Sequence, residues 1–402
     1  MGFEENARPL ISRREFLTGG AAVLAGLTGL GRTGFAVRPR VPAAGLDEKI
    51  GQMIMVGFRG LTLEAENPVI ADIRDRKIGG VVLFDYDVPS QNPVRNIASP
   101  DQVKALIGSL QETAATPLFI AVDQEGGRVS RLKEKFGFPA TVSQKHLGGL
   151  DDAAVTRACA EAEAAVLAEA GFNLNFAPVV DLDVNPENPV IGGLERSFSA
   201  DPAVVVRHAR EVIAAHHRAG VLTTLKHFPG HGSSKSDSHL GFTDVTGAWS
   251  KMELEPYAKI IGEGLCDAVM TAHVFNAAID GGYPATLSRP AIQGLLREGM
   301  GYDGLAVSDD MQMKAVSANF GLKEAVIRAV NAGLDILIFA NNSVFDPEIA
   351  ATAAGILKEA AAAGVIPEAR FDRSYERIMR LKRRMRHRRS IASTHPRSFF
   401  SA

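Results

Sequence analysis

Between residues 46 and 381, short and almost wholly apolar runs alternate with longer stretches whose apolar residues recur at helical spacing. The strand candidates are residues 52–58, 79–84, 118–122, 173–177, 222–226, 268–272, 305–308 and 336–339. They are rich in Val, Ile and Phe and lack the alternation of a strand with one wet face. Both faces must therefore be buried, as in a parallel sheet covered by helices. Helices are predicted at 101–115, 152–170, 202–219 and 323–332, and the last three run into Gly171, Gly220 and Gly333. Glycine just past the last helical residue is a common stop signal.

Eight strand-then-helix units predict an α/β fold, a single (β/α)8 TIM barrel. A doubly wound open sheet is the alternative. It is disfavoured because no Gly-x-Gly-x-x-Gly turn follows the first strand, and polar residues mark many strand ends instead of one crevice. No Pro/Ser-rich linker divides the chain, and too little sequence remains for a second C-terminal α/β domain. The expected organisation is a leader and linker over 1–44, the barrel over 45–379 and a basic, disordered tail over 380–402.

Composition narrows the partners. Hydrophobic residues make up 46% of the 402, ample for a core, and the formal net charge of −2 argues against a nucleic-acid binder. Cys159 and Cys266 are the only cysteines, too few for a disulfide framework or a zinc site. Ser12-Arg13-Arg14-Glu15-Phe16-Leu17 precedes an apolar, Gly-rich run at 18–31. That order resembles a twin-arginine export signal, with cleavage after Ala36 or Ala44, and predicts a periplasmic or extracellular protein. At the other end, residues 380–389 read RLKRRMRHRR. This block reads either as a weak contact for anionic lipid or a polyanionic wall polymer, or as a solvated helix end.

The ionisable residues gather at strand exits. Residues 226–241, KHFPGHGSSKSDSHLG, follow the fifth strand and set three His beside Lys226 and Asp237 among Gly, Pro and Ser, the composition of a mobile active-site loop. The third strand ends in Asp123-Gln124-Glu125-Gly126-Gly127-Arg128. Asp181, Asp183 and Glu195-Arg196-Ser197-Phe198 follow the fourth, His273 the sixth, and Ser308-Asp309-Asp310-Met311 closes the seventh. In a barrel these ends converge on one mouth, a constellation for acid/base or nucleophilic work on a polar substrate. Asp309 is the candidate nucleophile, although Asp309 or Asp310 would equally serve as a helix cap. His239 is the candidate general acid/base, with Asp237 two residues earlier on the same side of an extended loop. A metal held by His227, His231, Asp237 and His239 is the competing use of the loop. The expectation is no metal and no cofactor, because spacing on a Gly-rich loop supplies no preformed geometry.

Lys226-His227-Phe228-Pro229-Gly230-His231-Gly232, with Asp237-Ser238-His239 close behind, resembles the signature of glycoside hydrolase family 3, bacterial β-N-acetylhexosaminidase branch. The similarity extends to Gln52-Met53-Ile54-Met55-Val56-Gly57, the Asp123 to Arg128 segment, Glu195-Arg196-Ser197-Phe198 and Ser308-Asp309-Asp310-Met311-Gln312-Met313. It implies a retaining double displacement with Asp309 as nucleophile and His239, assisted by Asp237, as acid/base. It also implies that Asp123, Arg196, Lys226 and His227 hold a terminal N-acetylglucosamine, with His273 and Met313 in matching strand-end segments. The implied substrate is a muropeptide or chitooligosaccharide. A β-glucosidase or xylosidase, an enzyme that passes the sugar to phosphate, and a silent wall-sugar binder are the alternatives. The β-glucosidase branch is disfavoured because Asp310 stands where that branch has Trp.

Overall fold

Strands without a polar face need cover on both sides, and here all eight close on themselves. A computed structural model describes residues 44–238 and 241–394; the leader expected over 1–44 lies, apart from its last residue, outside them, as does His239. The barrel strands are β1 (Ile54–Gly57), β2 (Gly80–Val82), β3 (Phe119–Val122), β4 (Leu174–Asn175), β5 (Leu222–Phe228), β6 (Ala268–Thr271), β7 (Leu305–Asp310) and β8 (Ile336–Phe339). They pair in parallel, each with its neighbour in sequence, and β1 meets β8 with Ile54 opposite Leu337 to complete the ring. A two-residue ribbon, Thr243–Asp244 beside Val274–Phe275, stands apart over the mouth.

The predicted helices are present, and their caps explain their limits. Ser99 accepts from the Gln102 amide at the start of Pro100–Thr113, and Asp152 and Asp201 do the same for Ala153–Ala170 and Pro202–Arg218. Such oxygens satisfy amides that have no partner inside the helix. Gly171 ends its helix at φ +100°, open to glycine at no steric cost.

All strands but β8 differ from their predicted spans by one to three residues, and for two of them side-chain bonds give the physical reason. β1 starts at 54 because Gln52 ends the short helix Leu46–Gln52 and bonds the Lys77 carbonyl at 2.7 Å. β4 shrinks to two residues because the side chains of Asn173 and Asn175 take over ladder positions. Asn173 accepts from Ile120 N and donates to Leu118 O, and Asn175 does the same with the two backbone groups of Gln124.

The C-terminal end needs a correction. The chain does not become a loose tail at 380, because helix Glu368–Thr394 runs through that point with Leu381, Lys382 and Met385 buried. Its cations meet acids that precede β6, β7 and β8. Arg384 pairs with Asp267 at 3.0 Å, Arg380 and Arg377 with Asp303 at 3.0 and 2.9 Å, and Arg377 with buried Asp335 at 3.3 Å. Arg297 and Arg370 converge on Asp335 as well. Arg380, Lys382 and Arg384 of the basic block thus close the barrel floor, opposite the mouth. No pattern of local periodicity encodes partners supplied from tens to more than a hundred residues away.

Candidate active site

Each β-strand carries its last side chains to the same rim, so the sequence-predicted residues meet although more than 180 positions separate Asp123 from Asp309. After β3 the chain turns at Gly126 (φ +86°) and Gly127 (φ +59°), where a Cβ would collide with Val142 and Ser143. That tight reversal brings Arg131 back to within 3.8 Å of Asp123.

A chain of alternating charges crosses the mouth. Lys226 Nζ lies 2.7 Å from Asp123 and 2.6 Å from Glu125 Oε1, with its side chain only 1% exposed. Arg196 grips the same Glu125 through two bonds of 2.7 Å, from Nε and Nη2. A bidentate guanidinium–carboxylate pair fixes orientation as well as charge. Burial alone would push both carboxyls up. For Asp123 the fields of Lys226 and Arg131, and for Glu125 those of Arg196 and Lys226, hold each near about 2. Asp123 keeps about a fifth of its side chain open to solvent, so it faces outward as an acceptor, with Lys226, Arg196 and Arg131 beside it as donors. That set matches a ligand rich in hydroxyl and amide groups.

His227 is held in one tautomer. Arg196 Nη2 stands 3.0 Å from Nε2, and a guanidinium can only donate, so Nε2 accepts. The proton then sits on Nδ1, which donates to Asp181 Oδ2 at 2.7 Å. Burial first, then Arg196 and Lys226, keep the His227 pKa well below its ordinary value. His231 is taken up by the hydroxyls of Ser234 (2.7 Å) and Ser238 (3.1 Å), and its amide bonds Asp181. Neither ring nitrogen of His227 or His231 is left for a metal. Among the described residues no group of three or more His, Cys, Asp or Glu is arranged to hold one.

The Ser-Asp-Asp segment divides its two carboxylates. Asp310 is buried and accepts from the amides of Gln312 (3.1 Å) and Ala340 (3.0 Å), tying β7 to β8. Asp309 is half-buried at the tip of β7, accepts from the Asp310 amide at 2.8 Å, and its charge is felt by both His227 and His231. His273 Nε2 donates to the Asp310 carbonyl at 2.8 Å, and its Nδ1 meets Thr286. Met313 is buried and precedes helix Lys314–Phe320, with its amide on the Asp310 carbonyl. His273 and Met313 therefore support the Asp309 segment from behind. Asp237 is half-buried in the β5 loop, whose carbonyl at Ser238 accepts from Ala315 beyond β7.

Glu125, Arg131 and Asp181 are site members that the sequence reading did not single out as binding residues. Glu125 and Asp181 stood in the quoted strand-end segments, and only their partners show what they do. Asp183, by contrast, pairs outward with Lys145 at 3.0 Å. A cavity of about 180 Å³ lies behind Glu125, between the β3 loop and helix Ala153–Ala170. Its lining is largely apolar, with Leu132, Phe138, Val166 and Phe198, so it does not suit a sugar, and the chemistry stays at the mouth.

The description "Glycosyl hydrolase family 3 N terminal domain" matches residues 45–381. A β-hexosaminidase from Tolumonas auensis is 37% identical over 292 residues, covering 72% of this chain and 83% of that protein. A glycoside hydrolase family 3 β-N-acetylglucosaminidase from Paenibacillus sp. superposes with a TM-score of 0.78 at 36% identity, over 90% of this chain and 65% of that one. A β-N-acetylhexosaminidase from Beutenbergia cavernae gives 0.76 at 30% identity, over 85% and 99% respectively. With the motif residues gathered at one barrel mouth and these relatives alongside, the chain belongs to glycosyl hydrolase family 3 and is a glycoside hydrolase of its β-hexosaminidase branch.

Proposed function

We propose that the protein is a retaining exo-β-N-acetylglucosaminidase that removes terminal N-acetylglucosamine from peptidoglycan fragments or chitooligosaccharides. The observation that carries this reading is the division of labour at β7, where Asp310 is locked into the ladder and Asp309 faces the donor cluster. Asp123, Lys226 and Arg196, joined by Arg131, hold the sugar's polar groups. His227 supplies a neutral, fixed imidazole beside them.

In the first step an Asp309 oxygen attacks the anomeric carbon while the glycosidic C–O bond breaks. His239, oriented by Asp237, gives its proton to the departing oxygen. In the second step His239 takes a proton from water, whose oxygen attacks the anomeric carbon and releases Asp309. His227 does not serve as the acid, since both of its ring nitrogens are engaged and its pKa is depressed.

The test compares p-nitrophenyl β-N-acetylglucosaminide with the corresponding β-glucoside, following the first-formed anomer by NMR. Cleavage of the amino sugar with retained configuration supports the proposal. Preference for the glucoside, or an inverted product, rejects it. Adding phosphate separates hydrolysis from transfer to phosphate, which would yield the sugar 1-phosphate. The paired arginines at 13 and 14 also support export; replacing both with Lys and finding undiminished protein outside the inner membrane would remove that part of the reading.

A further inference from the structure

The group that leaves is bonded to the oxygen that receives the acid's proton, so it departs on the side of the sugar from which the acid acts. On the reading of His239 as that acid, the nearest large apolar side chain along the described chain is Phe242, three residues on. It is 49% exposed, unusual for a phenylalanine ring. It packs on Phe275 with ring centroids 5.2 Å apart and planes tilted by 40°.

Both rings are anchored to the barrel mouth. The ribbon pairs Thr243 with Val274 and Asp244 with Phe275, and Val245 N donates to Phe275 O at 2.9 Å. Phe275 follows His273 by two residues on the exit of β6, and His273 is bonded to the Asp310 carbonyl next to the candidate nucleophile. The outgoing limb of the loop touches the returning one where the Ser236 and Thr243 hydroxyls meet at 3.2 Å. The loop thus leaves β5, reaches the helix after β7 at Ala315, and returns to the β6 rim at Phe242. Exposed Phe242, packed on half-buried Phe275, stands on that rim.

We propose that Phe242, backed by Phe275, is the platform on which the ring of a saccharide leaving group rests. An aromatic face carries negative charge and accepts the C–H-rich face of a pyranose, while Phe275 holds the platform in place. The proposal deepens the glycosidase reading by naming the leaving group as a sugar ring.

The experiment measures wild type, Phe242→Ala and Phe242→Trp on chitobiose and on N-acetyl-β-D-glucosaminyl fluoride, whose leaving atom cannot stack. Phe242→Ala should lose about tenfold in kcat/KM on chitobiose, mainly through KM, and stay within about twofold on the fluoride. Phe242→Trp should restore chitobiose cleavage. Unchanged chitobiose kinetics in Phe242→Ala overturn the platform. So does an equal loss on both donors, which would mean that Phe242 only shapes the loop. Wild-type protein that cleaves neither donor sinks the glycosidase reading itself and the platform with it.

Discussion

Lys226 and Arg196 share a single buried carboxylate, Glu125, at 2.6 and 2.7 Å. Two cations that face the candidate sugar site are thus held apart and aimed by one residue that itself lies beneath them. Glu125→Gln leaves the shape intact and removes the charge. The variant should lose about 3 kcal/mol of stability and more than about tenfold in kcat/KM, because two buried cations are left to share Asp123. The folded carboxyl lies near about 2, below its ordinary 4.5. Its stabilisation is therefore complete above pH 4.5 and fades as pH falls toward 2. Denaturant melts of wild type and variant between pH 5 and pH 3 should converge as acid is added; a constant gap would show that Glu125 is not charged in the fold.

Asp309→Ala should reduce turnover by about 10³-fold or more with an unchanged melting temperature, since Asp309 is half-exposed and Asp310 holds the strand. Azide should restore turnover and yield the α-glycosyl azide, because the small anion attacks from the face the carboxylate vacated. Near-normal activity without azide would remove Asp309 as nucleophile. The matching Asp310→Ala variant should lose stability instead.

His239→Ala separates proton donation from substrate positioning. Loss of a general acid is expected to cost about 10²-fold or more on chitobiose, and far less on a dinitrophenyl glycoside whose leaving group needs no proton. Equal losses on the two substrates would assign His239 to binding alone. His227→Gln tests the neighbouring imidazole, and its loss should fall equally on both substrates, since His227 holds and does not transfer a proton.

Lys382 sits on the barrel floor with Nζ 2.6 Å from Gln52 Oε1 and 5.0 Å from the Phe119 ring centre. Burial lowers its pKa from 10.5 to about 7. The folded protein thus releases this proton near pH 7 and the unfolded chain near 10.5, so stability should rise with pH between those values, by at most about 1.4 kcal/mol per pH unit. Lys382→Met should be more stable than wild type at pH 6, with the advantage shrinking toward pH 10. Urea melts at several pH values would read this directly, and a pH-independent difference would mean that the buried amine stays charged.

Deleting residues 380–402 removes Leu381, Lys382 and Met385 from the floor and leaves Asp267 and Asp303 without Arg384 and Arg380. The truncated barrel should lose about 3–5 kcal/mol. A melting temperature equal to wild type would show that the barrel ends at 379 after all.

The eight apolar runs and the glycine stops were legible along the chain, because each depends on neighbours within a few residues. The same holds for which residues stand at strand ends: once eight parallel strands close, position in the strand is position at the mouth. Asp123, Arg196, Lys226, His227 and Asp309 converge there as expected. The tail differs from its expected form because a run of arginines looks alike whether it faces water or aspartates at the barrel floor.

What the chain determined alone was the order of elements and the list of ionisable groups delivered to one rim. Only the tertiary structure decided which of those groups pair. It placed Glu125 between Lys226 and Arg196, set the proton of His227 on Nδ1, and gave Asp310 to the ladder while leaving Asp309 at the mouth. Local pattern depends on period and propensity, which are written in adjacent residues. Partner choice among like charges depends on distances of a few ångströms between segments tens to hundreds of residues apart, and those distances exist only once the barrel has closed.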